Sequence, residues 1–182
     1  AIMLAGSAAQ KKDLLPKIAA GELIGALATS EGPGVVSPAT VKAVVEGGKL
    51  SGVKLPVTDG EIADVAIVIA KEGGKPGLFL VELGGGGVTR EALSTLDDSR
   101  GAAKLTFKDA PAQRLGDAGE GFALLEQILD RAAVLIAFEQ CGGADRSLEM
   151  AKEYALERYA FGRVIASYQA IKHKLADMYV KN

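Results

Sequence analysis

The sequence predicts an α+β chain, with an antiparallel β-barrel or sandwich followed by long α-helices of an incomplete helical bundle. Three observations predict it. Between positions 40 and 107, short apolar runs alternate with turns marked by Gly and Pro, the spacing of a small all-β unit. From about 119 to 160, apolar residues recur at helical intervals over roughly 40 residues, about 60 Å of helix at 1.5 Å per residue. The chain has 182 residues, 48% hydrophobic and 24% charged, so it can bury a sizeable core and reads as soluble and globular.

Taken in order, Gln10–Ala20 is helix-like, with Leu14, Leu15 and Ile18 at helical spacing, and Pro16 predicts a brief helix or one that starts near it. Glu22–Thr29 is strand-like, and Ser30-Glu-Gly-Pro-Gly34 breaks it. Val41–Glu46 and Lys49–Val57, joined by Gly47-Gly48, predict a hairpin. Ala63–Ala70 is a continuous apolar run suited to a strand buried on both faces. Leu78–Leu83, Val88–Leu93 and Ala102–Phe107 continue the series, and the composition changes at Asp109–Gly121. Gly142-Gly143 inside the long helix costs about 1 kcal/mol per residue against Ala, tolerable where another helix must come close. A second helix is expected from about Ser167. The expected divisions are residues 1–20 as a lead-in, 21–115 as a β domain and 116–182 as the first helices of a helical domain. The chain starts without Met inside an apolar run and stops with a helical pattern in progress, so a piece of a longer protein is expected.

Charge and rare residues exclude several functions. A net charge of −2 with no dense basic block gives no field for nucleic acid. The single Cys141 excludes an intrachain disulfide and a Cys-rich zinc site, and the single His173 excludes a multi-histidine metal site. No apolar run reaches the roughly 18–20 residues of a membrane span, and the first residues lack the basic start of a signal peptide, so a cytoplasmic protein is expected.

Local motifs leave alternatives open. Gly84–Gly87 reads as a turn rather than a phosphate cradle, because no Lys-Ser/Thr follows. Ser30, Ser37 and Thr58 read as turn hydroxyls, with no base beside them in sequence. His173 reads as a helix-surface residue. Arg158-Tyr-Ala-Phe-Gly162 is either a helix end with Gly162 at C′ or an anion site built on the guanidinium fork. Asp130-Arg131 is either a solvated pair or a polar pair for a ligand.

An ordered set of segments resembles the acyl-CoA dehydrogenase family over nearly the whole chain. Gly6-Ser-Ala-Ala-Gln-Lys-Lys-Asp-Leu-Leu-Pro16 with Ala20-Gly-Glu22 is similar to the family's lead into its middle domain. Leu27-Ala-Thr-Ser-Glu31 stands where the family has a Thr-Glu-Pro strand end. Leu50-Ser-Gly-Val-Lys54, Thr58-Asp-Gly60 and Ala63-Asp64 resemble its Gly-x-Lys…Ala-Asp hairpin. Asp98-Ser-Arg100, Phe107-Lys-Asp109 and Leu115-Gly…Gly119-Glu-Gly-Phe122 follow in order. The most specific segment is Arg158-Tyr-Ala-Phe-Gly162…Tyr168-Gln169…His173…Leu175-Ala-Asp-Met178.

The resemblance implies a middle β-barrel plus the start of a C-terminal helical domain. It also implies α,β-dehydrogenation of an acyl-CoA thioester with FAD as hydride acceptor, and electron-transfer flavoprotein as the next acceptor. By position, Leu27, Thr29, Ser30, Pro56, Val57 and Thr58 would face the flavin ring. Arg158, Phe161 and Gln169 would hold the FAD of a neighbouring subunit in a homo- or hetero-oligomer, dimer or tetramer. Asp130, Arg131 and Ser37 would lie near the pantetheine arm of the CoA. Pro56 stands where many members have Trp, Ser30 for Thr, Gly32 for Pro, and Val36-Ser37-Pro38 for Gly-Ser-Asp. The family's usual catalytic Glu would fall beyond Asn182, and its second position falls near Ala132, which is no base. No catalytic residue and no metal ligand is therefore assigned within the chain. The alternative is a non-catalytic subunit that supplies structure and half a flavin site to a hetero-oligomer.

Overall fold

Two short helices, α1 (Ile2–Ala5) and α2 (Ala8–Ala19), open the computed structural model, which describes residues 1–97 and 99–182. Asp98, in the Asp-Ser-Arg motif, lies outside the described residues. The Ser7 hydroxyl accepts from the Gln10 N–H while the Gln10 side chain accepts from the Ser7 N–H, a reciprocal cap that fixes where α2 starts. α2 therefore runs through Pro16 instead of starting at it. The proline sits in the last turn, where its missing N–H removes only one helical bond.

Seven strands follow: β1 (Gly25–Ala28), β2 (Val44–Glu46), β3 (Lys49–Thr58), β4 (Val65–Glu72), β5 (Lys75–Glu82), β6 (Val88–Leu93) and β7 (Ala102–Leu115). β2 and β3 form the expected hairpin, with Glu46 opposite Lys49 across Gly47-Gly48, both glycines at positive φ. The ring β4-β2-β3-β7-β5 closes because β4 also pairs with β5. Most pairs are antiparallel, but β1 and β2 both run parallel to β4. A parallel pairing needs a crossover in the chain, and no local pattern announces it.

β4 is buried on both faces, as its continuous apolar run predicts. Ala66, Val68 and Ala70 face one core with Leu50, Val57, Phe79 and Phe107. Val65, Ile67 and Ile69 face a second with Ile2, Leu14, Leu78, Leu115 and Leu125. β7 extends to Leu115, eight residues past the apolar run that predicts it. Its first half pairs with β6 and its second half with β5, while β3 pairs along its other edge. Asp109 at φ 51 marks the change of partner. The extension escapes pattern reading because Ala110, Pro111 and Ala112 lack the branched or aromatic side chains of a strand.

The chain divides into two compact units, Ala1–Ile128 and Leu129–Asn182. Helix α3 (Gly121–Glu157) starts in the first and continues into the second, unbroken by Gly142-Gly143. A Cβ built on either glycine would meet nothing within 4 Å, so among the described residues nothing packs against either position. Gly142→Ala and Gly143→Ala in this chain should each add about 1 kcal/mol of stability. Urea unfolding measures this, and a loss at either site would contradict the open surroundings.

In the second unit, α3 is followed by a minimal hairpin, β8 (Tyr159–Ala160) and β9 (Arg163–Val164), a 3-10 turn (Ile165–Ser167) and α4 (Gln169–Lys181). Phe161 and Gly162 form the two-residue hairpin turn, both at positive φ. Gly162 is thus a turn residue and not the C′ of α3, which has already ended at Glu157.

Candidate functional site

In the first unit, the end of β1 is laid against β3. The Leu55 N–H donates to the Ser30 carbonyl at 2.9 Å, and Glu31 forms a parallel bridge with Leu55. This brings Thr29–Glu31 beside Lys54 and Leu55, with Pro56, Val57 and Thr58 next along the same strand. Leu27 is half-buried and packs on the second core with Val65 and Ile67, so its side chain serves that cluster. Val57 points into the barrel core, whereas Pro56 and Thr58 are exposed. The Ser30 hydroxyl donates to the Gly32 carbonyl at 2.9 Å within its own loop.

A recess of about 360 Å³ opens at this strand end, lined by Thr29–Val36 and Ala39–Lys42. Ser37 is outside the lining. Its N–H donates to the Thr40 hydroxyl at 2.8 Å, and the Thr40 N–H donates back to the Ser37 hydroxyl at 3.3 Å, which makes it a turn former on the rim.

Under the recess lies a polar centre that reading the sequence did not single out. Lys54 is fully buried, and its ammonium donates to Glu31 Oε1 at 2.7 Å and to the Thr29 carbonyl at 3.3 Å. Glu31 Oε1 also accepts from the Ala43 N–H at 3.0 Å, and Oε2 accepts from the Lys42 N–H at 2.8 Å. Burial works to raise the Glu31 carboxyl. The hydrogen bonds from Lys54, Ala43 and Lys42 outweigh it and hold the carboxyl below the ordinary carboxylate value. Burial pushes the Lys54 ammonium below its ordinary value, and the Glu31 contact opposes that shift. Glu31 and Lys54 both sit in segments quoted for the family resemblance, but nothing local says that they meet.

In the second unit, Arg158, Phe161 and Gln169 belong to one tight local structure. The Ile165 N–H donates to the Arg158 carbonyl at 2.8 Å, and the Tyr168 hydroxyl donates to the Ala160 carbonyl at 2.9 Å. The Arg163 guanidinium stacks 4.0 Å from the centroid of the Tyr168 ring. Phe161 at the hairpin tip is 97% exposed, and the Gln169 amide faces His173 Nε2 at 3.4 Å, one turn into α4. Asp130 and Arg131 are exposed on α3. They lie 28 and 27 residues before Arg158, roughly 40 Å along a continuous helix, so α3 does not bring them to the hairpin.

The Thr58 hydroxyl is exposed and makes no hydrogen bond to another described residue, so it can meet a ligand. The strand end at Thr29–Glu31 is tied by the buried Lys54 ammonium to Glu31 and the Thr29 carbonyl. Among the described residues no group of His, Cys, Asp and Glu could hold a metal ion, and no helix is long and apolar enough to cross a membrane.

Residues 119–182 match the model of the acyl-CoA dehydrogenase C-terminal domain. The chain is 36% identical over 189 residues to mitochondrial isovaleryl-CoA dehydrogenase of Oryza sativa subsp. japonica, covering 96% of this chain and 46% of the relative. Butyryl-CoA dehydrogenase of Megasphaera elsdenii superposes with a TM-score of 0.90 at 28% identity, over 99% of this chain and 51% of that one. The acyl-CoA dehydrogenase of Bacillus anthracis complexed with FAD superposes at 0.91 with 30% identity, over 99% of this chain and 33% of that one. The chain thus spans about half the length of the curated relatives it matches. Across that span the chain belongs to the acyl-CoA dehydrogenase family.

Proposed function

We propose that this chain is the barrel and first helical part of a flavoprotein that dehydrogenates an acyl-CoA thioester between its α and β carbons. The observation that carries the reading is the strand end at Thr29–Glu31 tied to Lys54 and Leu55 of β3, a polar rim beside an open recess, with Pro56–Thr58 next along the strand. FAD, when bound, supplies the acceptor for the β-hydride. In this reading Thr29, Ser30 and Thr58 present polar atoms to the ring edge, fixed before the reaction begins. Leu27 and Val57 hold the two strands that carry them. Arg158, Phe161 and Gln169 hold the FAD of a neighbouring subunit, which makes the protein an oligomer. Asp130, Arg131 and Ser37 meet the CoA arm. The α-proton goes to a carboxylate outside residues 1–182, since Ala132 cannot take it. Electron-transfer flavoprotein is the next acceptor. Residues 1–20, 21–115 and 116–182 form the lead-in, the barrel domain and the start of the helical domain.

The exposed Pro56, together with Ala132, favours a second reading, a non-catalytic subunit sharing a flavin site in a hetero-oligomer. One exposed free thiol, Cys141, suits a reducing compartment such as the cytoplasm. The rice relative is named as mitochondrial, and fractionation of the source cells separates the two locations.

The test is to purify the full-length protein, release its ligand and quantify FAD, then add acyl-CoA esters and watch the visible flavin absorbance. Bound FAD that bleaches with an acyl-CoA is the expected result. A colourless protein that takes up no added FAD defeats the reading. Activity that depends on a co-purified partner with its own base favours the subunit reading.

A further inference from the structure

We propose that Glu31 and Lys54 are positioning residues, a buried ion pair that sets the place of Thr29–Ser30 relative to Leu55–Thr58 and so the polar face offered to the flavin. This rests on the FAD reading of the same site. Three segments remote in sequence converge on one carboxylate and one ammonium. They are the end of β1 through Thr29 and Glu31, the approach to β2 through Lys42 and Ala43, and β3 through Lys54.

Gly52 permits the convergence. A Cβ there would come within 2.7 Å of the Ala43 side chain and 2.8 Å of its Cα, and Gly52 itself is at φ 148. Its bare backbone lets the Ala43 segment lie close enough for the Ala43 N–H to reach Glu31. The glycine and lysine two residues apart are therefore parts of one device, with Gly52 giving the approach and Lys54 the lock.

Stability is a poor reason for such a pair, because apolar side chains of the same volume hold a core as well or better. What the ions add is direction. The carboxylate uses both oxygens, accepting from two successive N–H groups, and the ammonium donates its second bond to the Thr29 carbonyl just before Ser30. Supporting contacts of this kind fix the groups that touch a ligand, and at metal sites their loss typically costs about 10- to 100-fold in affinity or activity.

The experiment uses the full-length protein stripped of flavin and reconstituted with FAD. The double variant Glu31→Gln/Lys54→Met removes both charges and keeps both volumes. It should bind FAD at least about tenfold more weakly, shift the visible bands of the flavin that does bind, and speed amide exchange at Lys42 and Ala43. Wild-type affinity with unchanged bands would overturn the proposal and leave the pair a strut. If the double variant does not fold, Glu31→Asp decides on the same two flavin readouts, since it keeps the charge but draws the carboxylate back by one methylene. Failure of the FAD reading is seen separately, as a wild-type protein that takes up no FAD, and the positioning role falls with it.

Discussion

Glu31→Gln should destabilise the protein by about 3–5 kcal/mol at pH 7, whereas Lys54→Met should cost only about 1–2 kcal/mol. The asymmetry comes from what each variant leaves behind. Without the carboxylate, the Lys54 ammonium stays fully buried beside a neutral amide and the Thr29 carbonyl. It can escape by giving up its proton, and from an ordinary value of 10.5 this costs at most about 5 kcal/mol at pH 7. Without the ammonium, Glu31 keeps two backbone N–H donors and 13% of its side chain in water. Urea unfolding of both variants gives the comparison, and equal costs would contradict this account.

The pH dependence has a definite sign. In Glu31→Gln, Lys54 titrates lower in the folded state than in the unfolded one, so the unfolded chain binds more protons between those two values. Stability then rises with pH, and the deficit shrinks as pH climbs from 7 toward 10.5. In the unaltered protein the Glu31 carboxyl is depressed on folding. Its contribution is complete above the ordinary value of 4.5 and is lost as pH falls through the depressed folded value.

Gly121→Val should cost about 3 kcal/mol, and Gly121→Ala a large part of that. α3 starts against β5 with no room for a side chain. A Cβ on Gly121 would sit 2.4 Å from the Gly77 Cα and 2.6 Å from its carbonyl carbon. Both partners are backbone, which cannot rotate away as a side chain would. The first turns of α3 carry Leu125, buried in the second core, with Phe122, Leu124 and Ile128 packed against it. Pushing the helix off β5 would therefore strip that cluster as well. Thermal unfolding measures the cost, and hydrogen exchange at residues 121–128 locates it. A Gly121→Ala protein within 0.5 kcal/mol of the original, roughly the tolerance of an ordinary surface site, would show that the helix has room to shift.

Much of the architecture was legible because it is written in local pattern. The Gly47-Gly48 hairpin, the doubly buried β4 and the long α3 each follow from neighbours in sequence. The second half of β7 was not, because Ala110, Pro111 and Ala112 are strand residues only by virtue of the partners they meet. The two parallel pairings with β4 depend on chain crossings that no window of residues contains. At the candidate site, resemblance pointed to Thr29, Ser30 and Thr58 but not to the ions beneath them. Glu31 and Lys54 lie 23 residues apart, and a charged pair in a sequence of this composition looks like any two surface residues until folding buries it. The sequence leaves Gly162 open as a helix C′ residue, because a glycine after an aromatic suits that position as well as a primed turn. The positive φ of Phe161 tells them apart.

The closure of the barrel bears on how the protein behaves in a crowd. An open sheet presents rows of unpaired N–H and C=O groups on which a foreign strand can template itself. Here β4, β2, β3, β7 and β5 return on themselves, so those strands offer little for a stranger to add to. Outside the ring lie β1, paired with β4, and β6, paired on one side only, by β7. β6 is six residues long and carries Arg90 and Glu91 at its centre. Arg90 is tied to the Glu61 and Ala63 carbonyls, and Glu91 to Lys104 across the ladder. A short charged margin of this kind discourages edge-to-edge fibril growth, so it is topology as well as stability that guards the barrel against strand addition.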